Sequence, residues 1–316
     1  MKEHGKKNKK KRALIELIIT ISILLIFVLF HQIMLKVEEP LRAPLGQLVE
    51  VDGHKMSVYT EGTGDKTLVF LSGSDTPSPI LDFKSLFSLL SDEYRIVVVE
   101  RFGYGFSDIV DKPRDIDTVL SETRAALAAA DIDGPYVLCP HSMSGLEALY
   151  WVQQYPEEVE AIVGLDMAVP DAYENFKNNV FMNAASQFNA KTGIIRLLPL
   201  LNELDCVKHG TLTEEEKKIA HTLLYKNFSN KTTINELKYV SENATIVGAG
   251  EIPQVPMLLF ISNDTSTTEL TDATQRYANT VENAKVIQLD CPHYVHDYEY
   301  NRISKEIKAF LQERAD

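Results

Sequence analysis

The stretch Tyr136-Val137-Leu138-Cys139-Pro140-His141-Ser142-Met143-Ser144-Gly145-Leu146-Glu147-Ala148 reads as a buried strand that turns sharply into a helix. Tyr136 to Cys139 is apolar and β-favouring, and Leu146 to Gln154 has helical spacing that stops before Pro156. A serine stands at the corner. A strand-to-helix turn this tight demands compact neighbours, and Ser144 and Gly145 meet that demand on the helical side. The corner residue is forced into a strained backbone conformation, which lifts its hydroxyl towards solvent at a helix N-terminus. Pro140 suits the end of a strand, because its fixed φ fits extended chain and its missing N–H falls where the ladder ends.

Outward from this corner, apolar runs alternate with helix-type segments. Gln47–Val51 and Lys55–Thr60 alternate around Asp52-Gly53, the signature of a hairpin. Strands are expected at 67–71, 95–99, 136–139 and 159–165, with helices at 81–90, 115–130 and 146–154 between them. From Pro170 to about Gly250 the strand rhythm stops and helical segments such as 214–228 and 234–243 replace it. It resumes with strands at 257–261 and 285–289, a helix at 269–280 and a last helix at 303–311. Such alternation predicts an α/β fold with a mainly parallel, doubly wound sheet.

The first twelve residues hold seven Lys or Arg against one Glu, a local charge of +6, which leaves the rest of a chain of net charge −13 at −19. An acidic domain of this kind argues against nucleic-acid binding. Residues 13–35 follow as a nearly unbroken apolar run, long enough to cross a hydrocarbon core of roughly 30 Å. No small-x-small cleavage site closes the run, so an uncleaved signal anchor is expected, with the basic tail cytoplasmic and the domain outside. Cys139, Cys206 and Cys291 are odd in number and widely spaced, which gives no disulfide framework and no zinc pattern. The organisation expected is a basic tail (1–12), a transmembrane signal anchor (13–35), a stalk (36–44), a core in two parts (45–169 and 251–316) and a helical cap (170–250).

From about residue 45 to the end, this order resembles the α/β-hydrolases, in their serine hydrolase branch with a helical cap between the sixth and seventh strands. The corner resembles the nucleophile elbow often written G-H-S-M-G-G, with Pro140 and Ser144 in place of two glycines. Arg101-Phe102-Gly103-Tyr104-Gly105-Phe106-Ser107 looks like the family's R-x-G-x-G-x-S loop. Cys291-Pro292-His293-Tyr294-Val295-His296 resembles its G-H-x-x-H loop, with Pro292 for the glycine.

A serine needs a base, and the base needs a carboxylate to hold it. The resemblance therefore implies Ser142 as nucleophile and His293 as base; His296 is the second candidate base, read as packing at the start of the last helix. His141 is read as structural, because neighbouring side chains alternate along a strand. Two acids are candidates: Asp264, after the seventh strand where the family most often places it, and Asp166 at the end of the sixth. Asp264 is preferred. The oxyanion donors implied are the backbone N–H groups of Met143 and Ser74. Phe176, Phe181, Phe188 and Leu197-Leu198 could face an apolar substrate or form the cap's own core.

The function expected is hydrolysis of an ester or related acyl bond of a small-molecule substrate through an acyl-enzyme. No metal or organic cofactor is implied. The alternatives are a non-catalytic ligand-binding or sensing protein on the same fold, and an amide- or peptide-cleaving relative.

Overall fold

The computed structural model describes residues 2–197, 199 and 203–314. Its centre is an eight-stranded sheet in the order β1-β2-β4-β3-β5-β6-β7-β8. The strands are β1 (Gln47–Val51), β2 (His54–Glu61), β3 (Thr67–Leu71), β4 (Arg95–Glu100), β5 (Tyr136–Pro140), β6 (Val159–Leu165), β7 (Met257–Ser262) and β8 (Ala284–Leu289). β1 and β2 form the expected hairpin, with Val51 opposite His54 across Asp52 and Gly53. Both turn residues have positive φ (51° and 75°), the geometry a two-residue turn needs to match strand twist. β2 runs antiparallel to β4, and every later pairing is parallel.

Parallel strands are buried on both faces, and the side chains divide accordingly. Val69 and Leu71 of β3 join the cluster on one face, while Leu68 and Phe70 join the cluster on the other. Helices α1 (Lys2–Val37), α2 (Pro79–Phe87), α3 (Ile116–Ala129) and α4 (Ser144–Gln154) precede β6 or lie before it in the chain. Asp115 caps α3 by accepting a hydrogen bond from Thr118 N at 3.0 Å.

Between β6 and β7 the described residues hold helices alone: α5 (Val180–Thr192), α6 (Asp205–Lys208), α7 (Glu214–Asn227) and α8 (Lys231–Ala249), with short 3₁₀ turns at 170–173 and 194–197. A capping box of Thr213 and Glu216 starts α7. After β7 come α9 (Thr268–Ala278), α10 (Val295–Tyr298) and α11 (Tyr300–Gln312). The expected stalk is more regular than its two prolines suggested. α1 continues to Val37, and a 3₁₀ turn spans Glu39–Arg42, with Pro40 at a first-turn position where its missing N–H costs nothing.

Candidate functional site

Ser142 sits between β5 and α4 with φ of +54°, a left-handed conformation that a serine adopts only when its surroundings force it. The contacts around the corner do so. His141 N donates to Leu71 O at 2.9 Å, stitching the turn to the end of β3. Ser144 Oγ lies 2.7 Å from Leu71 O and accepts from His141 N at 3.0 Å. The serine that replaces the usual glycine therefore braces the corner with its hydroxyl. Gly145 meets the loop after β6 so closely that a Cβ there would stand 2.0 Å from Ala168 O. Ala168 N in turn donates to Ser142 O at 2.8 Å.

That same loop begins with Asp166, also at positive φ (+48°) and fully buried. Its Oδ2 lies 2.6 Å from His293 Nδ1 and 2.7 Å from Ser262 Oγ, and its Oδ1 accepts from Ser262 N at 2.9 Å. A carboxylate on Nδ1 fixes the tautomer of the ring: Nδ1 carries the proton, and Nε2 keeps its lone pair. Of the two candidate acids, then, Asp166 reaches the His293 ring and the preferred Asp264 does not. Asp264 caps its own turn, accepting from Ser266 N at 2.8 Å and Ser266 Oγ at 2.7 Å, and takes only the backbone N–H of His293 at 3.3 Å. Those Ser266 bonds hold its carboxyl below the usual range.

His141 packs behind His293. Its ring centroid is 4.7 Å from those of His293 and His296 and 4.8 Å from that of Tyr294. Its Nε2 is 3.3 Å from His293 O. Burial, with two neighbouring imidazoles, pushes its pKa well below the ordinary value, so it stays neutral and supports the loop. His296 is buried in α10 and its Nε2 lies 2.8 Å from Asp82 Oδ2. Ligand atoms of Asp82, His141 and His296 lie within 4.8 Å of one another, a spacing that would suit a cation; the Asp82–His296 hydrogen bond already accounts for two of the three.

The loop after β3 lies against the corner. A Cβ on Gly73 would stand 2.7 Å from Ser142 Cβ, so glycine is required for this approach, and Ser74 follows it directly. Met143 lies just ahead of α4, at the end where backbone N–H groups have no intrahelical acceptor. Asp75 (φ +56°) closes the β3 loop, donating from N to Tyr104 Oη at 3.3 Å and accepting from Ser229 N at 3.1 Å. Burial pushes its carboxyl up to about 7. A cavity of about 240 Å³ opens beside it, walled by Asp75, Ser78, Leu204, Leu224, Phe228 and Tyr294.

A buried network under the site was missed in the sequence. Arg101 pairs with Glu147 of α4 at 2.9 Å, donates to Ser72 O at 3.1 Å and stacks 5.0 Å from the Tyr104 ring. Tyr104 hydrogen-bonds Glu236 of α8. The one signal available was Glu147, an acid within an otherwise apolar helix stretch.

The family model describing the α/β hydrolase fold matches residues 70–300. The chain belongs to this α/β-hydrolase family. Among relatives of the family, the uncharacterized protein YbdG of Bacillus subtilis (strain 168) is 38% identical over 237 residues, covering 74% of this chain and 72% of its own. Solved α/β-hydrolase-like structures share the fold at low identity. The epoxide hydrolase of Bacillus megaterium superimposes with a TM-score of 0.64 at 18% identity, over 84% of this chain and 100% of that one. The enol-lactonase of Burkholderia xenovorans LB400 gives 0.60 at 16%, over 84% and 100%.

Proposed function

We propose that this α/β-hydrolase cleaves an ester or related acyl bond, with Ser142 as nucleophile, His293 as general base and Asp166 as the acid that orients it. The observation that carries this reading is the 2.6 Å contact between His293 Nδ1 and Asp166 Oδ2, made from the same loop that hydrogen-bonds the Ser142 carbonyl. A histidine so held offers Nε2 to the serine proton. Ser142 Oγ attacks the carbonyl carbon, His293 takes the proton and then passes it to the leaving group, and a water activated by the same nitrogen releases the acid. The N–H groups of Met143 and Ser74 receive the developing oxyanion. The neutral, buried His141 keeps positive charge off the base until the reaction places it there. Acyl chemistry has a precedent on this fold in the enol-lactonase named above, a structural neighbour at 16% identity.

The helices between β6 and β7 act as a cap over the 240 Å³ cavity, and α1 anchors the enzyme in the cell membrane with the basic tail cytoplasmic. The substrate is a small acyl compound. Full-length protein in detergent, treated with a fluorophosphonate probe, is expected to label at Ser142, and labelling is expected to vanish in Ser142→Ala and His293→Ala. A folded wild-type protein that takes up no probe overturns the reading.

A further inference from the structure

α5 carries an apolar face with no partner among the described residues. Val180 is 75% exposed, Phe181 79%, Met182 56% and Phe188 50%. Large apolar side chains seldom stand this free in water, and Val180, Phe181 and Phe188, on one side of a short helix, form a patch that a water-facing surface would cover. The sequence left Phe181 and Phe188 open as substrate-facing or cap-core residues. Half or more of each faces outward, so neither belongs to the core of the insertion.

The other face of α5 packs on α1. In α1 the positions short of full exposure are Leu24, Val28, His31, Met34 and Leu35, spaced as one helical stripe. His31 is buried, with its Cβ 2.5 Å from where a Gly193 Cβ would stand at the end of α5. Arg196 locks the joint, binding Glu38 at 2.7 and 2.8 Å and His31 Nδ1 at 3.0 Å.

This contact has a consequence for depth. Residues 24–35 are the upper half of the apolar run. Were α5 to stay in water beside them, only residues 13–23 would remain for the bilayer, about 16 Å against a hydrocarbon core of roughly 30 Å. α1 spans the membrane only if α5 goes in with it. Exposed Lys177 and Lys191 stand before and near the end of α5, as anchors for a helix lying among lipid headgroups.

We infer that α5 is seated in the outer leaflet of the bilayer that α1 crosses, so that this part of the insertion faces the membrane. The inference rests on α1 being the anchor proposed above. The test is nitroxide labelling of the full chain in phosphatidylcholine–phosphatidylglycerol vesicles at Phe181→Cys and Phe188→Cys. Leu25→Cys in α1 serves as a lipid reference and Glu242→Cys as a water reference. The native cysteines are buried. Collision rates with oxygen, which concentrates in lipid, and with a water-soluble nickel chelate are compared at each site.

At 181 and 188 the oxygen-to-nickel ratio is expected to lie several-fold above that at 242. A ratio at 181 equal to that at 242, with 25 in lipid, overturns the seating of α5 and leaves the anchor intact. Low collision with both reagents at 181 means that a second copy of the chain covers the face, which also overturns it. A water-like value at 25 overturns the anchor and this inference together. None of these readings depends on hydrolytic activity.

Discussion

Asp166 and Asp264 differ by a turn of backbone. β6 and β7 are neighbours in the sheet, so the residues leaving their ends compete for the same space near His293. The positive φ at Asp166 swings its carboxylate towards the ring, while Asp264 is consumed by Ser266. Replacing Asp166 by Asn would present an amide that no longer demands a proton on Nδ1, so Nε2 would hold it and fail as a base. Asp166→Asn is expected to lower ester hydrolysis by about 10³–10⁴-fold, while Asp264→Asn stays within a few-fold of wild type; initial rates on a short p-nitrophenyl ester decide between them. Neither turn nor partner is visible in sequence, where both acids simply follow a β-strand. The places of Ser142 at a strand-to-helix corner and of His293 just after β8 were legible, because each lies in a local motif beside a strand end. A second residue-scale test concerns Asp297, whose two buried oxygens have no partner. Burial first, then Asp82 and Asp205, push its pKa well above the ordinary value. The folded protein thus keeps a proton that the unfolded chain loses near pH 4, and stability falls as pH rises from there towards the folded pKa. Asp297→Asn removes that dependence. Its gain over wild type is expected to widen as pH rises above about 4, read from urea midpoints at pH 5, 6.5 and 8.

At the scale of elements, the strands and the corner followed from the alternation of apolar runs with turn residues, and boundaries shifted by only a few positions. What the sequence could not supply was how two connections lock together. The turn into α4 and the loop after β6 touch through Gly145 and Ala168, residues distant in the chain. Gly145→Ala sets a methyl group against Ala168 O, where backbone must yield. Yielding moves Asp166 and releases the hydrogen bond to Ser142 O. The expected result is about 2 kcal/mol of lost stability from overpacking, together with loss of fluorophosphonate labelling at temperatures where circular dichroism still reports a folded protein. A variant that labels normally would mean that the corner tolerates displacement of the β6 loop. The buried Arg101–Glu147–Glu236 group escaped notice for the same reason: its members come from β4's loop, α4 and α8, and only packing brings them together.

Across the whole molecule, α1 meets the helices between β6 and β7 through side chains rather than through the sheet. Arg196 is the joint. Its guanidinium binds both Glu38 oxygens, reaches His31 and stands 4.3 Å from the Tyr225 ring of α7, so one residue ties the end of α1 to two helices of the insertion. Glu38 and Arg196 keep only 10% and 11% side-chain exposure, and removing one partner leaves the other charge nearly buried and unpaired. Because a little water still reaches the pair, the cost falls below that of a fully buried pair, to about 2 kcal/mol. That cost should appear locally. In Arg196→Ala, amide hydrogen exchange is expected to quicken roughly thirtyfold in α5 and the last turns of α1, while β3, β5 and β6 keep wild-type protection. Faster exchange spread evenly through the sheet would instead make α1, the helices between β6 and β7 and the core a single cooperative unit, and would assign to Arg196 a part in holding the whole fold.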